Sequence, residues 1–169
     1  MKLQRVLQYA QSLLEMSINE GEIAVDATAG NGHDTLFLAN LVGDNGYVYA
    51  FDVQKQAVDA TLHRLLDNAV EHRALVIRDG HENIANYVTK PVAGAIFNLG
   101  YLPGSDHDII TRPNTTIQAL ESLLKLLKVG GMIVLVIYHG HEGGKEERDE
   151  VIQLVSELPQ KSIHVLRYE

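Results

Sequence analysis

Apolar segments alternate with amphipathic segments along the chain, and this alternation constrains the fold more than any other feature. The apolar segments span 22–28, 46–52, 73–79, 92–98, 132–138 and 161–169. Strands that alternate with helices form right-handed βαβ units, which build a parallel sheet covered by helices on both faces. The sequence therefore predicts an α/β fold in one domain, residues 1–169.

The intervening segments carry helical spacing. They predict helices at 33–42, 54–70, 81–88, 115–128 and 145–158, with Gly130 and Gly131 closing the fourth. Residues 1–16 predict a further helix with one apolar face, which is expected to pack on the sheet. That face comprises Leu3, Val6, Leu7, Ala10, Leu13 and Leu14.

Composition narrows the class of protein. The absence of cysteine excludes disulfides, thiolate metal sites and a cysteine nucleophile, and it fits a cytoplasmic protein. The longest apolar run, 132–138, is too short to span a bilayer, so we expect no membrane partner. The formal net charge of −8 argues only mildly against a nucleic-acid partner, because a local basic patch matters more than the total charge.

The ends of the first two predicted strands suggest a nucleoside-type ligand. Ligands of such sheets bind at the carboxyl ends of the strands. Asp26 ends the first strand, and a turn containing Gly30 and Gly32 then opens a helix, whose free N–H groups and close backbone approach suit a ligand. Asp52 ends the second strand, where a carboxylate accepts hydrogen bonds from ribose hydroxyls. The alternative is that Asp52 only caps the next helix.

Adenosylmethionine (SAM) fits these strand ends better than a dinucleotide. Thr35 stands where a dinucleotide turn usually has its third glycine. The acid before the turn suits the sulfonium and ammonium of SAM better than a pyrophosphate. The third strand end, "RDGHE", adds Asp79, Gly80 and His81, which would hold the adenine ring.

The fourth strand ends in "NLGYLPG", an amide followed by an aromatic ring. Enzymes that methylate exocyclic amines often carry such a pair, as in Asn-Pro-Pro-Tyr. Asn98 and a main-chain carbonyl at Leu99 or Gly100 would accept the N–H bonds of an amine and aim its lone pair at the methyl group. Tyr101 would stack on a base or cover the site. The alternative is a strand-ending Asn in a turn, with a core tyrosine.

The fifth strand ends in "YHGHEGGKEE". We expect His139 to face the substrate as a base or hydrogen-bond partner. A metal site at His139, His141 and Glu142 is disfavoured, because their spacing is not a usual helical metal motif and no cysteine helps. Lys145 and Arg148 would meet phosphates or pair with neighbouring acids in solvent.

Together, "VDATAGNGHDT", "DGHEN", "NLGYLPGSDH" and "YHGHEGGKEE" resemble the bacterial family labelled "putative rRNA methylase", of which the MnmM (YtqB-like) members are tRNA methyltransferases. The resemblance covers essentially the whole chain. It implies a class I SAM-dependent methyltransferase fold, Rossmann-like with a mostly parallel sheet, and SAM as the methyl donor. It also implies methylation of the amine of 5-aminomethyl-2-thiouridine at wobble position 34 in the tRNA anticodon, and a homodimer.

The resemblance and the strand ends together assign two groups of residues. The donor side comprises Asp26, Thr28, Gly30, Asn31, Gly32, His33, Asp34, Thr35, Asp52, Gln54, Asp79, Gly80 and His81. The acceptor side has Asn98, Tyr101 and His139 as catalytic candidates, with Leu99, Gly100, Leu102, Pro103, Gly104, Tyr138, His141 and Lys145 as substrate contacts.

The chain departs from the usual methyltransferase pattern at two places, and three alternative functions stay open. Thr28 stands where the common methyltransferase turn has its first glycine, and the chain stops at Glu169, before the seventh, antiparallel strand usual for the class. We expect either a truncated chain or a missing tail, which leaves an unpaired sheet edge. The alternatives are methylation of rRNA or a small amine, an NAD-type reductase, and a cofactor-binding module without catalysis. Asp34 and the lack of Tyr-x-x-x-Lys disfavour the reductase, and the Asn98–Tyr101 strand end disfavours the inert module.

Overall fold

The computed structural model describes residues 2–100 and 113–169 and confirms the predicted α/β fold. The strands are β1 (Ile23–Asp26), β2 (Tyr47–Asp52), β3 (Ala74–Arg78), β4 (Val92–Leu99) and β5 (Leu127–Ile137). The helices are α1 (Val6–Ser17), α2 (His33–Val42), α3 (Lys55–Asp67), α4 (Pro113–Leu126) and α5 (Gly144–Ser156), with 3₁₀ helices at Glu71–Arg73 and His81–Asn86. The five strands form one sheet in the order β3-β2-β1-β4-β5, and all neighbours are parallel.

The strand order places a switch point between β1 and β4. The chain builds outward from β1 through β2 and β3 on one side, and then crosses to β4 and β5 on the other. Asp26 in β1 aligns with Ile96 in β4, and just beyond the strand Ala27 N donates to Ile96 O at 2.9 Å. The carboxyl ends of β1 and β4 therefore open a crevice between them, the usual ligand position in such sheets.

Helices cover both faces of the sheet. β4 is buried from Val92 to Phe97, as expected for a central parallel strand. On one face Leu14 of α1 and Leu38 of α2 pack with Ile96. On the other face Phe97 packs with Leu123 of α4. Each fully buried side chain of this size contributes about 1.5–3 kcal/mol to folding, so β4 and its carboxyl end are firmly held.

The predicted strand at 161–169 was wrong. These residues form no strand, and the sheet described ends at β5. Tyr168 instead contacts the start of the chain: its hydroxyl donates to Gln4 O at 2.7 Å, and its ring centroid lies 4.5 Å from that of Tyr9 in α1. A strand exists only where a neighbour satisfies its N–H and C=O groups, and an apolar segment alone does not supply that neighbour.

The predicted boundary between the fourth helix and the next strand was also wrong. α4 ends at Leu126, and β5 begins at once with Leu127 paired to Val92. The next pair joins Met132 to Gly94, so the glycines lie in an irregular stretch of β5 rather than at a helix end. Gly130 has a φ of 80° there, a conformation that glycine adopts readily.

Only part of the predicted apolar face of α1 packs on the sheet. Ala10 and Leu14 are buried, whereas Val6, Leu7 and the preceding Leu3 are 47%, 46% and 81% exposed. The carboxyl half of α1 contacts the sheet, because Gly94 has no side chain and leaves room for Ile18 beside β4. Among the described helices, none is long and apolar enough to cross a membrane.

Candidate active site

The buried Asp26 carboxylate stabilises the turn after β1 through two hydrogen bonds. Its Oδ2 accepts a hydrogen bond from Thr35 Oγ1 at 2.6 Å, and its Oδ1 accepts one from Thr28 N at 3.1 Å. Both Asp26 and Thr35 are fully buried, so they shape the turn rather than face an open cleft. Within the turn Gly30 and Gly32 have φ angles of 55° and 82°, which glycine adopts without strain.

Burial, followed by the nearby charge of Asp34, raises the pKa of the Asp26 carboxyl to about 7, although the hydrogen bonds from Thr35 and Thr28 oppose the shift. An acid whose pKa is raised by folding binds its proton more tightly in the native state. It therefore stabilises the fold below its unfolded pKa, and that contribution is lost as the pH rises through the native pKa.

Asp26→Asn is expected to remove this pH dependence. The free energy of unfolding of the wild type should fall, relative to the variant, by roughly 2–4 kcal/mol between pH 4 and pH 8. Urea unfolding at several pH values measures it. Asp67→Asn, which changes an exposed carboxylate on α3, is the control and should follow the wild type. A constant difference between wild type and Asp26→Asn would contradict the assignment.

Two residues of α3 that the sequence pattern did not indicate hold the glycine turn from outside. Thr61 Oγ1 donates to Gly30 O at 3.2 Å, and Arg64 Nε donates to Asn31 O at 2.8 Å. Arg64 also lies 3.3 Å from the His33 Nε2 atom. Thr61 is buried on the same helical stripe as Ala57 and Leu65, and a polar residue on that stripe is the sequence signal that could have indicated it.

Asp52 joins the glycine turn to the start of α3. Its Oδ2 accepts a hydrogen bond from Gly30 N and its Oδ1 accepts one from Gln54 N, both at 3.0 Å. Gln54 is the residue that precedes the first turn of α3. A carboxylate has about four acceptor positions, so two remain for hydroxyl groups of a ligand. The capping alternative and the ribose hypothesis are therefore compatible.

The third strand end is organised around Asp79. Its carboxylate accepts hydrogen bonds from Asn83 Nδ2 and Tyr87 Oη, both at 2.8 Å, and from Gly80 N at 2.7 Å. The bonds from Asn83 and Tyr87 lower the pKa of Asp79, so it stays ionised. Neither side chain was indicated by the sequence pattern. Asp79 thus fixes the 3₁₀ helix that follows β3.

His81 is buried between the carboxyl ends of β1 and β3. It is only 7% exposed, and its ring meets Phe97 edge-on at 5.5 Å between centroids. Its Nδ1 lies 3.0 Å from Ala27 O, so Nδ1 carries the hydrogen and Nε2 is an acceptor. Burial lowers the pKa of His81, which favours this neutral form. Within the described part of the chain the buried Nε2 has no hydrogen-bond partner.

Asn98, at the fourth strand end, is held by the turn after β1. Its main-chain N donates to Thr28 Oγ1 at 2.7 Å. Burial raises the pKa of the Asp34 carboxyl, and the Asn98 side chain opposes that rise. Thr28 thus supplies a hydroxyl where the common turn has a glycine. The Leu99 side chain is fully buried in the core, and Leu99 O accepts from Tyr138 N at 3.4 Å, so Leu99 offers a ligand only its main chain.

At the fifth strand end, His141 lies over the start of α5. A Cβ atom on Gly144 would lie 2.7 Å from His141 Cε1, and one on Gly100 would lie 3.6 Å from it, so the ring bridges the two strand ends. The predicted substrate contacts Tyr138, His139 and Lys145 are exposed at this end.

The start of α5 is tied to α4 by a buried pair that the sequence pattern did not reveal. Thr116 Oγ1 donates to Glu147 Oε2 at 2.9 Å, and neither residue is exposed. Tyr101, Leu102, Pro103 and Gly104 lie outside the described residues, so their roles stay predictions. Across residues 2–100 and 113–169, no three His, Asp or Glu side chains come together as a metal site.

A parallel sheet of this order, with its polar groups collected at the β1 and β4 ends, is the architecture of class I SAM-dependent methyltransferases. The chain belongs to the family described as "Putative rRNA methylase", whose sequence model matches residues 48–169. A chloroplastic protein of Arabidopsis thaliana, named tRNA (mnm(5)s(2)U34)-methyltransferase, is 40% identical over 166 residues. That match covers 92% of this chain and 60% of the Arabidopsis protein, so the chain spans about three fifths of its length.

Two solved structures extend the similarity over nearly the whole chain. A "putative rRNA-methylase" from Clostridium thermocellum superposes with a TM-score of 0.93 at 45% identity, covering 95% of this chain and 87% of that chain. A "putative methyltransferase" from Streptococcus mutans, solved in complex with SAH, superposes with a TM-score of 0.87 at 40% identity. It covers 95% of this chain and 86% of that chain.

Proposed function

We propose that the protein is a SAM-dependent tRNA methyltransferase that methylates the amine of 5-aminomethyl-2-thiouridine at wobble position 34. The observation that carries the proposal is the 40% identity, over 92% of this chain, to a protein named for that tRNA position. The site supports it independently, because an amide and several carboxylates converge where a donor and an amine would meet.

The residues present fit SAM as the donor. The left-handed Gly30 and Gly32 allow close approach of the ligand to the backbone. Asp52 keeps acceptor positions for the ribose hydroxyls. The acidic surroundings of Asp34 suit a cation rather than a pyrophosphate, which also favours SAM over NAD.

On this proposal, SAM supplies an electrophilic methyl group, and the protein supplies orientation. Asn98 Oδ1 accepts an N–H from the neutral amine and aims the nitrogen lone pair along the line of transfer, which is a positioning effect. The new N–C bond leaves the nitrogen with one proton in excess. His139, exposed at the adjacent strand end, is the candidate to receive it.

Asp52→Ala is expected to weaken SAM affinity about 10- to 100-fold, because hydrogen bonds to a charged acceptor and the tie to Gly30 are lost together. Isothermal titration calorimetry measures the dissociation constant, with Asp67→Ala on the exposed side of α3 as the control. An unchanged dissociation constant would restrict Asp52 to organising the start of α3.

The acceptor class is tested by incubating the protein with labelled SAM and separate pools of tRNA, rRNA and small amines. The proposal predicts label in tRNA. Label confined to rRNA or a small amine would favour the runner-up function, and SAM binding without transfer to any acceptor would favour a binding module. NAD binding in place of SAM, seen by thermal shift, would favour the reductase.

The rest of the proposal concerns the protein's domain organisation, oligomeric state, compartment and RNA contact. We infer a single methyltransferase domain that works as a homodimer in the cytoplasm and contacts the tRNA anticodon region. Support comes from the family resemblance and from the absence of cysteine in the sequence. Sedimentation velocity of the purified protein tests the dimer.

A further inference from the structure

The Asp79 carboxylate is held by three donors just beyond the end of β3. Its Oδ1 atom accepts hydrogen bonds from Gly80 N at 2.7 Å and from Asn83 Nδ2 at 2.8 Å. Its Oδ2 atom accepts a hydrogen bond from Tyr87 Oη at 2.8 Å. Asn83 lies in the 3₁₀ helix after β3 and Tyr87 directly follows that helix, so this short segment sets the orientation of the carboxylate.

These bonds leave one acceptor position on the carboxylate. Each carboxylate oxygen accepts about two hydrogen bonds. Both positions of Oδ1 are filled, by Gly80 and Asn83, whereas Oδ2 has one position filled, by Tyr87. The open position on Oδ2 can therefore receive one N–H group of a ligand.

The protonation states agree with this arrangement. The bonds from Asn83 and Tyr87 lower the pKa of Asp79, and the bond to Asp79 raises the pKa of Tyr87. Asp79 stays ionised and Tyr87 keeps its proton, so the hydroxyl donates and the carboxylate only accepts.

Asp79 lies beside the residue proposed to bind the ribose of SAM. Asp52 in β2 is paired with Arg78 in β3, and Asp79 directly follows Arg78. Neighbouring strands are about 4.8 Å apart, so the two carboxylates share one edge of the sheet. Val53, which follows Asp52, is 53% exposed and adds apolar surface at this edge. A purine ring with apolar faces and an exocyclic amino group suits this combination.

We propose that Tyr87 and Asn83 are positioning residues that make the donor site select adenine. They hold Asp79 so that the open position of Oδ2 faces the amino group of the SAM adenine. The Tyr87 ring is itself packed edge-on against Phe51, with 5.6 Å between the ring centroids. This role rests on the proposed SAM-dependent function and deepens it, because it names the side chains that set the selectivity for the base.

Two ligands measure that selectivity: SAH, and the analogue of SAH that has a hydrogen atom in place of the 6-amino group of adenine. The analogue keeps the ring and the ribose and lacks only the N–H donors that Asp79 would accept. Isothermal titration calorimetry gives the dissociation constant of each ligand. The wild type should bind SAH about 10- to 100-fold more tightly than the analogue, because the analogue loses a hydrogen bond to a charged group.

Tyr87→Phe removes the hydroxyl and keeps the ring against Phe51. It should reduce the preference for SAH roughly 3- to 10-fold, and the double variant Asn83→Ala/Tyr87→Phe should reduce it to about 2-fold or less. The affinity for the analogue should stay within a few-fold of the wild type in both variants. Tyr47→Phe, which changes a tyrosine at the opposite end of β2, is the control and should keep the wild-type preference.

Asp79→Ala shows whether Tyr87 acts through the carboxylate. It should remove the preference for SAH, and adding Tyr87→Phe to it should change the preference no further. A further loss of preference in that combined variant would mean that Tyr87 contacts the base by itself, which would overturn the inference.

Two other results would also overturn it. The first is a Tyr87→Phe variant that binds both ligands more weakly by the same factor, as a purely structural role predicts. The second is a wild type that binds both ligands equally well. Because no tRNA is used, the measurement is independent of the acceptor. A preference that depends on Tyr87 in a protein that methylates no tRNA would support the inference and reject the tRNA assignment. Methylation of tRNA without that preference would reject the inference alone.

Discussion

Asn98→Ala is expected to lower methyl transfer roughly 10²-fold or more while SAM affinity stays within a few-fold of the wild type. The amide sits at the end of β4, on the proposed acceptor side of the crevice. Removing the side chain leaves the hydrogen bond from Asn98 N to Thr28 Oγ1 in place, so the turn after β1 keeps its shape. The amine then loses the group that aims its lone pair.

Single-turnover transfer from labelled SAM and calorimetric SAM binding, measured on the same preparations, check this prediction. Asn86→Ala changes an exposed asparagine at the end of a 3₁₀ helix and is the matched control. A loss of SAM affinity as large as the loss of transfer would place Asn98 in the donor site and remove it from the acceptor.

Gly32→Ala is expected to cost roughly 2–5 kcal/mol of stability and to weaken SAM binding more than about 10-fold. Gly32 has a φ of 82°, and a Cβ atom there would lie 2.8 Å from the main-chain Cα of Thr61. The substitution therefore adds backbone strain and also pushes α3 away from the turn. The displaced turn would no longer present its N–H groups to the donor.

Gly21→Ala separates these two effects. Gly21 has a φ of 86°, but a Cβ atom there would have no described atom within 4 Å beyond its own chain neighbours. It should cost only the strain of the left-handed conformation, about 1–2 kcal/mol, and leave SAM binding unchanged. Urea unfolding and calorimetry compare the two variants. Equal losses of stability would show that contact with α3 does not govern the turn.

The strand ends could be predicted from the sequence because each one interrupts an apolar run with a polar residue. Asp26, Asp52, Asp79 and Asn98 all lie at the ends of strands, and the parallel order brings their carboxyl ends to one edge of the sheet. The local sequence pattern and the handedness of βαβ units were sufficient to predict that these residues meet at one edge of the sheet. The roles of Asp26 and Asp79 as organisers of their own turns emerged only from the three-dimensional structure.

The side chains that hold the site in place could not be predicted from the local sequence pattern. Thr61 and Arg64 reach a turn about thirty positions earlier, and Thr116 meets Glu147 from another helix. Helical periodicity shows which face of a helix is buried, but it does not show which segment that face meets. The wrong strand at 161–169 has the same origin, since apolar sequence predicts extended chain without showing whether a partner strand exists.

The decisive substrate is tRNA that carries 5-aminomethyl-2-thiouridine at position 34. The protein and SAM are added to this tRNA and, separately, to the same tRNA without the aminomethyl group. The nucleosides are then separated and their masses are determined by mass spectrometry. We expect a gain of one methyl group on the aminomethyl nucleoside and none in the other tRNA. SAM-bound protein that leaves the aminomethyl nucleoside unchanged, or that methylates both tRNAs alike, would contradict the proposed function.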